Sequence, residues 1–281
     1  MNAQTSRYVD AETQFLSVNG TRFAYRTIGP KSGVPIVMFN HLAGTIDDWD
    51  PSVVDGLAAQ HQVLTFDNRG IGGSEGATPQ TVAGMADDGI AFIKALGLAQ
   101  VYMLGFSLGG AVVQDIVFKE PELAQKIILG GIGPRGGIGI RNIPGQAYRN
   151  QLRSLLTFTD IRVFLFFTRT ENGKRAARRF LSRLSEKKTG RVRKVSIKSF
   201  RAQLAAIAEY ASSAPPDLSR IAMPTFVANG EHDIMVPSVN SAHLMLGIPN
   251  ARLSLYKDAG HGGIFQYHDQ FVEESLAFLS E

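Results

Sequence analysis

Ser107 lies in Gly105-Phe106-Ser107-Leu108-Gly109-Gly110, a Gly-x-Ser-x-Gly sequence. The apolar run Val101-Tyr102-Met103-Leu104 precedes it, and a helical pattern, Ala111 to Phe118, follows. The serine therefore falls where a buried strand must turn abruptly into a helix, the setting of a nucleophile elbow. Glycines on either side let strand and helix approach closely around a strained turn. The hydroxyl is then held at a helix N-terminus, whose N–H groups favour developing negative charge.

Serine is a weak nucleophile at neutral pH. It needs a base within hydrogen-bond reach, and the base needs an orienting carboxylate. His261, in Asp258-Ala259-Gly260-His261-Gly262-Gly263, follows a strand pattern on a Gly-rich loop that can present an imidazole freely. The other histidines sit on helical patterns, in polar turns or beside loops. Asp233, in Asn229-Gly230-Glu231-His232-Asp233-Ile234-Met235-Val236-Pro237, lies between a strand and a helix and is the candidate orienting acid. Glu231 is its nearer rival. Asp258 is three residues from His261 in the same loop, too close to orient it. The chain order Ser…Asp…His is that of neither chymotrypsin nor subtilisin. Two backbone N–H groups should bind the oxyanion. One is that of Leu108, and the other lies in the loop Asn40 to Trp49 after the Val34–Phe39 run.

The elements that must position these groups alternate along the chain. Phe15 to Arg26 reads as a β-hairpin around Asn19-Gly20. Strand patterns at 34–39, 62–66, 101–104, 126–129, 224–228 and 253–256 alternate with helical ones after Pro51, at 79–96, after Ser107, at 238–246 and at 271–279. This is the signature of an α/β fold with a mostly parallel, doubly wound sheet. The alternation breaks near Gly133 and resumes after Pro215-Pro216. The expected organisation is a core of residues 1–133 and 217–281, interrupted by an Arg-rich helical lid at 134–216.

The 281 residues allow one large α/β domain or two smaller ones, and a content of 44% hydrophobic and 19% charged residues is that of an ordinary globular protein. The absence of Cys excludes disulfides and thiol catalysis. The net charge of +4 hides an asymmetry. Residues 135–201 hold 18 of the 29 Lys and Arg against Asp160, Glu171 and Glu186, giving +15, and the remainder is −11. That excess is expected to be solvated and balanced against the acidic core or a neighbour; the alternatives are that several of its arginines face an acidic substrate, or that the Lys187–Lys198 stretch touches nucleic acid or an anionic membrane. Met1 to Gln14 shows no signal-peptide pattern, and no apolar run approaches the roughly 18 residues of a membrane span, so a cytoplasmic location is the default expectation. Gly70-x-Gly72-Gly73 does not fit dinucleotide spacing, and no His/Asp/Glu set has metal-ligand spacing; neither a cofactor nor a metal is expected. The expected partner is a small-molecule substrate, with a homodimer left open and neither nucleic acid nor membrane insertion anticipated. Phe158, Phe164, Phe166 and Phe167 cluster in the insert as lid core or as a lipophilic pocket wall.

Four motifs in order resemble the α/β-hydrolase fold family, in its lid-bearing serine hydrolase branch. They are Gly-Phe-Ser107-Leu-Gly-Gly, Phe66-Asp67-Asn68-Arg69-Gly70-Ile71-Gly72-Gly73-Ser74, Gly230 to Pro237, and Gly260-His261-Gly262. The resemblance covers nearly the whole chain outside the insert. It implies a Ser107–His261–Asp233 triad acting on a carboxylic ester or lactone of a small apolar molecule. Cofactor-free perhydrolysis (a haloperoxidase-like activity), carbon–carbon bond hydrolysis and a receptor-like binder are the rival readings. The Asp67–Ser74 loop has a structural role in the family. Counting back from Trp49 places Leu42 at the oxyanion position, and a one-residue shift would give Ala43. His41 stands where the family usually has Gly. His41, Phe106, Phe164 and Phe167 are the candidate pocket residues.

Overall fold

A computed structural model describes residues 7–281. Eight strands form one sheet: β1 (Gln14–Val18), β2 (Thr21–Ile28), β3 (Ile36–Phe39), β4 (Val63–Phe66), β5 (Val101–Phe106), β6 (Ala124–Gly130), β7 (Thr225–Gly230) and β8 (Ala251–Tyr256). Their spatial order is β1-β2-β4-β3-β5-β6-β7-β8. β1, β2 and β4 pair antiparallel; every pair from β4 through β3 to β8 is parallel. At the hairpin tip Asn19 and Gly20 take φ of 50° and 78°, the left-handed pair a two-residue turn requires.

Between the strands run α1 (Pro51–Ala58), α2 (Val82–Ala95) and α3 (Leu108–Lys119), and near the C-terminal end α8 (Val239–Gly247), α9 (Gly263–Gln266) and α10 (His268–Ser280). β3, β4, β5 and β7 are buried along their whole length because helices cover both faces. Successive side chains alternate between two cores. Val37, Phe39, Leu64, Phe66 and Met103 pack with Val82, Val112 and Ile116 from α2 and α3. Ile36, Met38, Val63, Leu104 and Phe226 pack with Val53, Leu57, Phe271 and Phe278 from α1 and α10. A doubly wound sheet is therefore what the alternating pattern specified.

Four helices are inserted between β6 and β7: α4 (Ile143–Thr157), α5 (Ile161–Phe166), α6 (Glu171–Leu184) and α7 (Ile197–Ser212). The apolar stretch 155–167 is not one element. Phe158 ends α4 in a left-handed conformation (φ 50°), fully out in solvent, and the chain restarts at the Asp160 cap. α7 was not anticipated, because the basic run before it masks its onset. It nevertheless buries Gln203, Leu204, Ala206, Ile207, Tyr210 and Ala211 at helical spacing. Among the described residues no helix is long and apolar enough to cross a membrane.

The insert's basic excess is partly spent on the core. Arg162 pairs with Asp48 at 2.5 Å and with its neighbour Asp160 at 2.6 Å. Arg183 pairs with the buried Asp50 at 2.5 Å, and Arg135 pairs with Asp115 on α3. Inside the core, fully buried Arg26 holds Asp47 at 2.7 Å, and the other Asp47 oxygen accepts the Val192 N–H at 2.7 Å.

Candidate active site

The chain runs from β3 out to β4 and then back across to β5, so the sheet order reverses between the neighbours β3 and β5. In open α/β sheets the crevice at the carboxyl ends of such strands is the ligand position. Phe39 pairs with Gly105 across this boundary, so the loop after β3 and the turn after β5 emerge side by side.

Ser107 occupies that turn and precedes α3. Its φ of 55° and ψ of −120° lie in a region rarely adopted by residues with a side chain. The turn is fixed by the Ser107 N–H donating to Gly130 O and the Gly110 N–H donating to Ser107 O, both at 2.8 Å. A Cβ at Gly109 would stand 2.0 Å from the Phe39 carbonyl oxygen, so α3 can begin this close to β3 only with glycine there.

His261 lies in the loop after β8, and Asp233 in the loop after β7. Imidazole Nδ1 is 2.7 Å from Asp233 Oδ2, and Nε2 is 2.9 Å from Ser107 Oγ. The other Asp233 oxygen accepts the N–H groups of Met235 at 2.8 Å and Val236 at 3.0 Å. An acceptor-only carboxylate requires the proton on Nδ1, which leaves the Nε2 lone pair for the serine hydroxyl. All three side chains are buried. The rival acids are engaged elsewhere. Asp258 accepts from Thr170 Oγ1 at 2.9 Å and Asn172 Nδ2 at 3.2 Å in the insert, and Glu231 is exposed beside His232.

Leu108 is the first residue of α3, so its N–H has no acceptor within the helix. In the facing loop, the Ala43 N–H donates to Gln203 Oε1 at 2.8 Å. No hydrogen bond from the Leu42 N–H is formed within the described residues. Of the two candidate donors in this loop, Leu42 is thus the free one. His41 Nδ1 donates to Leu42 O at 2.9 Å. Burial pushes His41 down to about 4, so the ring is neutral. The rest of the loop is tied by Asp48, which accepts from Thr45 N and Oγ1 at 2.8 Å, and by Asp67, which accepts from Ile46 N at 2.7 Å and Gly73 N at 2.8 Å. Burial raises Asp67 to about 7. The Asp67–Ser74 loop therefore braces the site from behind.

The four expected pocket residues do not line the space beside Ser107. Phe106 is fully buried beneath His261, 5.1 Å between ring centres, because β5 aims it into the sheet core. His41 packs edge-on against Phe106 and Phe166. Phe167 packs on Phe180 within the insert, and half-buried Phe164 lies under the Arg153 guanidinium. The cavity at Ser107 is instead lined mostly by aliphatic side chains, with Tyr210 the one aromatic ring. Leu108, Ile132, Ile143, Ile207, Tyr210 and Val236 are among the residues that enclose it. It has room for little more than one water molecule, about 10 Å³. A far larger groove, between the Gly70–Thr78 turn and the start of α7, shares no lining residue with it.

Two contacts from the insert escaped the sequence reading. The Phe166 carbonyl accepts the Gly262 N–H at 2.8 Å, directly beside His261, and Gln203 holds Ala43. Only the spacing of Gln203, Ile207 and Tyr210 on α7, four then three residues apart, could have signalled a face turned toward the site.

Residues 34–266 match the sequence profile of the alpha/beta hydrolase fold. The chain belongs to the α/β-hydrolase fold family. A solved structure, an alpha/beta hydrolase fold protein from Chitinophaga pinensis, superposes with a TM-score of 0.93 at 37% identity, over 98% of this chain and 99% of that one. A 2-hydroxy-6-oxononadienedioate/2-hydroxy-6-oxononatrienedioate hydrolase of a Pseudomonas species is 26% identical over 79% of this chain and 78% of its own. A non-heme chloroperoxidase of Streptomyces lividans is 24% identical over 93% of this chain and 97% of its own. This α/β-hydrolase is an enzyme of the hydrolase class. Its relatives carry names of different reactions, so the substrate has to be argued from the site.

Proposed function

We propose that this α/β-hydrolase cleaves carboxylic esters or lactones of small, apolar acyl groups through a Ser107–His261–Asp233 triad. The observation that carries the reading is the continuous chain Asp233 Oδ2 to His261 Nδ1 (2.7 Å) and His261 Nε2 to Ser107 Oγ (2.9 Å). His261 Nε2 takes the hydroxyl proton as Ser107 Oγ bonds to the carbonyl carbon. The carbonyl π electrons move to oxygen, and the Leu108 and Leu42 N–H groups receive the oxyanion. Asp233 stabilises the imidazolium. Collapse breaks the bond to the leaving oxygen, which takes the Nε2 proton. Water, deprotonated by His261 Nε2, then attacks the acyl carbon; collapse breaks the bond to Ser107 Oγ, which takes the proton back from Nε2 as the acid is released. The aliphatic lining of the cavity favours an apolar acyl group, and its size requires the insert to move before one enters.

The same acyl-enzyme supports a second reading, favoured by the likeness to the chloroperoxidase: peroxide in place of water would yield a peracid. The test is a series of p-nitrophenyl esters of increasing acyl length, with lactones alongside, run on wild type and Ser107→Ala. Wild type should turn over the short esters fastest, and Ser107→Ala should lose on the order of 10³-fold or more in kcat. Near-full activity in Ser107→Ala would falsify the assignment. Peracid formation when hydrogen peroxide is added decides between the two acceptors.

A further inference from the structure

Gln203 connects the insert to the loop that carries the second oxyanion donor. Its side chain is fully buried on α7. Its Oε1 accepts the Ala43 N–H at 2.8 Å across 160 residues of sequence. Its amide nitrogen has no partner among the described residues.

The peptide between Leu42 and Ala43 is clamped at both ends. His41 Nδ1 donates to its carbonyl oxygen at 2.9 Å, and Gln203 receives its N–H. This plane sets ψ of Leu42 and φ of Ala43. Ala43 stands at φ 56°, a left-handed conformation that a residue with a Cβ rarely adopts. A strained peptide persists only where its surroundings over-determine it. The neighbouring peptide, which carries the Leu42 N–H, pivots on the same Cα; its own carbonyl, His41 O, accepts the Gly44 N–H at 2.9 Å, so its aim is set jointly by that turn and by the clamp. Only the His41 half belongs to the loop itself; the Gln203 half is delivered by the insert. Further along the same helix face, Ile207 and Tyr210 close the cavity over Ser107.

We propose that Gln203 is a positioning residue for the oxyanion loop, so that the Leu42 donor is correctly aimed only when α7 is docked. The inference rests on the reading of Ser107 as the nucleophile. Substrate must displace α7 to enter, and α7 must return before the Leu42 N–H is aimed at the oxyanion. Both acylation of Ser107 by an ester and hydrolysis of the acyl-enzyme by water are thereby suppressed in the open state.

Two variants separate positioning from packing. Gln203→Met keeps the volume and removes the acceptor, whereas Gln203→Glu keeps an acceptor at the same reach. With p-nitrophenyl acetate, and active sites counted by fluorophosphonate titration, Gln203→Met should lose roughly 10–100-fold in kcat per active site. Its KM should change less than about three-fold. Affinity for an aryl trifluoromethyl ketone, which forms a tetrahedral oxyanion on the serine, should fall by the same factor as kcat. Gln203→Glu should recover most of both. A lower melting temperature with unchanged kcat per active site and unchanged ketone affinity would reduce Gln203 to a packing residue. Should Gln203→Met not fold, amide exchange in the wild type decides. The Ala43 amide should be protected and the Leu42 amide should exchange much faster; unprotected Ala43 overturns the clamp. If fluorophosphonate does not label Ser107 in the wild type, the failure belongs to the nucleophile assignment and not to Gln203.

Discussion

Neutral, buried His41 makes the site's electrostatics sensitive to acid. Its ring is pushed down to about 4 by burial, against an ordinary 6.5 in the unfolded chain. Between those values the unfolded chain holds a proton that the native chain does not. Stability from this group is therefore complete above pH 6.5 and is lost as pH falls toward 4. Asp67 acts in the opposite sense. Its carboxyl is raised to about 7, so the native chain keeps a proton that the unfolded one releases, and stability declines as pH rises from about 4 to 7. His41→Asn keeps a donor for the Leu42 carbonyl and removes the titration, while Asp67 is common to both proteins and cancels in the difference. Urea melts from pH 7 to 4 should show wild type losing on the order of 3 kcal/mol more than His41→Asn. Parallel curves would mean that His41 is not held neutral. At this scale the residues of the Asp233–His261–Ser107 hydrogen-bonded chain were legible because each sits in a short local motif with its own turn chemistry. Gln203 was not, since its meaning lies in one contact with a residue remote in sequence.

The elbow depends on how closely α3 approaches β3. Gly109 faces the Phe39 carbonyl with no room for a methyl group, and the backbone on both sides is hydrogen-bonded into the fold. Gly109→Ala must push the first turn of α3 outward, taking the Leu108 N–H with it. We expect a loss of about 2–4 kcal/mol in stability, together with a fall in kcat in whatever fraction still folds. A melt and an esterase assay on the same preparation test both; a variant with wild-type values would refute the close approach. The central strands were readable as short continuous apolar runs, because helices bury both their faces, and the core helices by an apolar period of 3.6. The insert was harder to read. α7 begins in a polar, basic stretch, and its buried face is completed by residues from the core, so periodicity alone understated it. The expected pocket aromatics failed for a related reason. Aromatic clustering reveals that rings pack together, not which side of the packing faces the serine.

At the scale of the molecule, two bodies of opposite charge are pressed together: residues 135–201 carry +15 and the rest −11. Arg162 with Asp48, Arg183 with Asp50 and Arg135 with Asp115 are the points where this attraction becomes contact. The sequence foretold the charge imbalance but not these pairings, which join residues far apart in the chain. The space at Ser107 holds about one water, and a substrate too large to enter by displacing α7 alone must swing the whole insert aside and pull these charges apart. Coulomb attraction between them is screened over about 8–10 Å at physiological salt and much less at low salt. Ionic strength then acts as a selector of substrate size. From about 10 to 300 mM NaCl, the Debye length falls several-fold, and kcat/KM for long-chain esters should rise relative to that for acetate. A ratio indifferent to salt would mean that the insert is held by its apolar contacts alone, and that the enzyme's appetite for bulk is written in its isoleucines and not in its arginines.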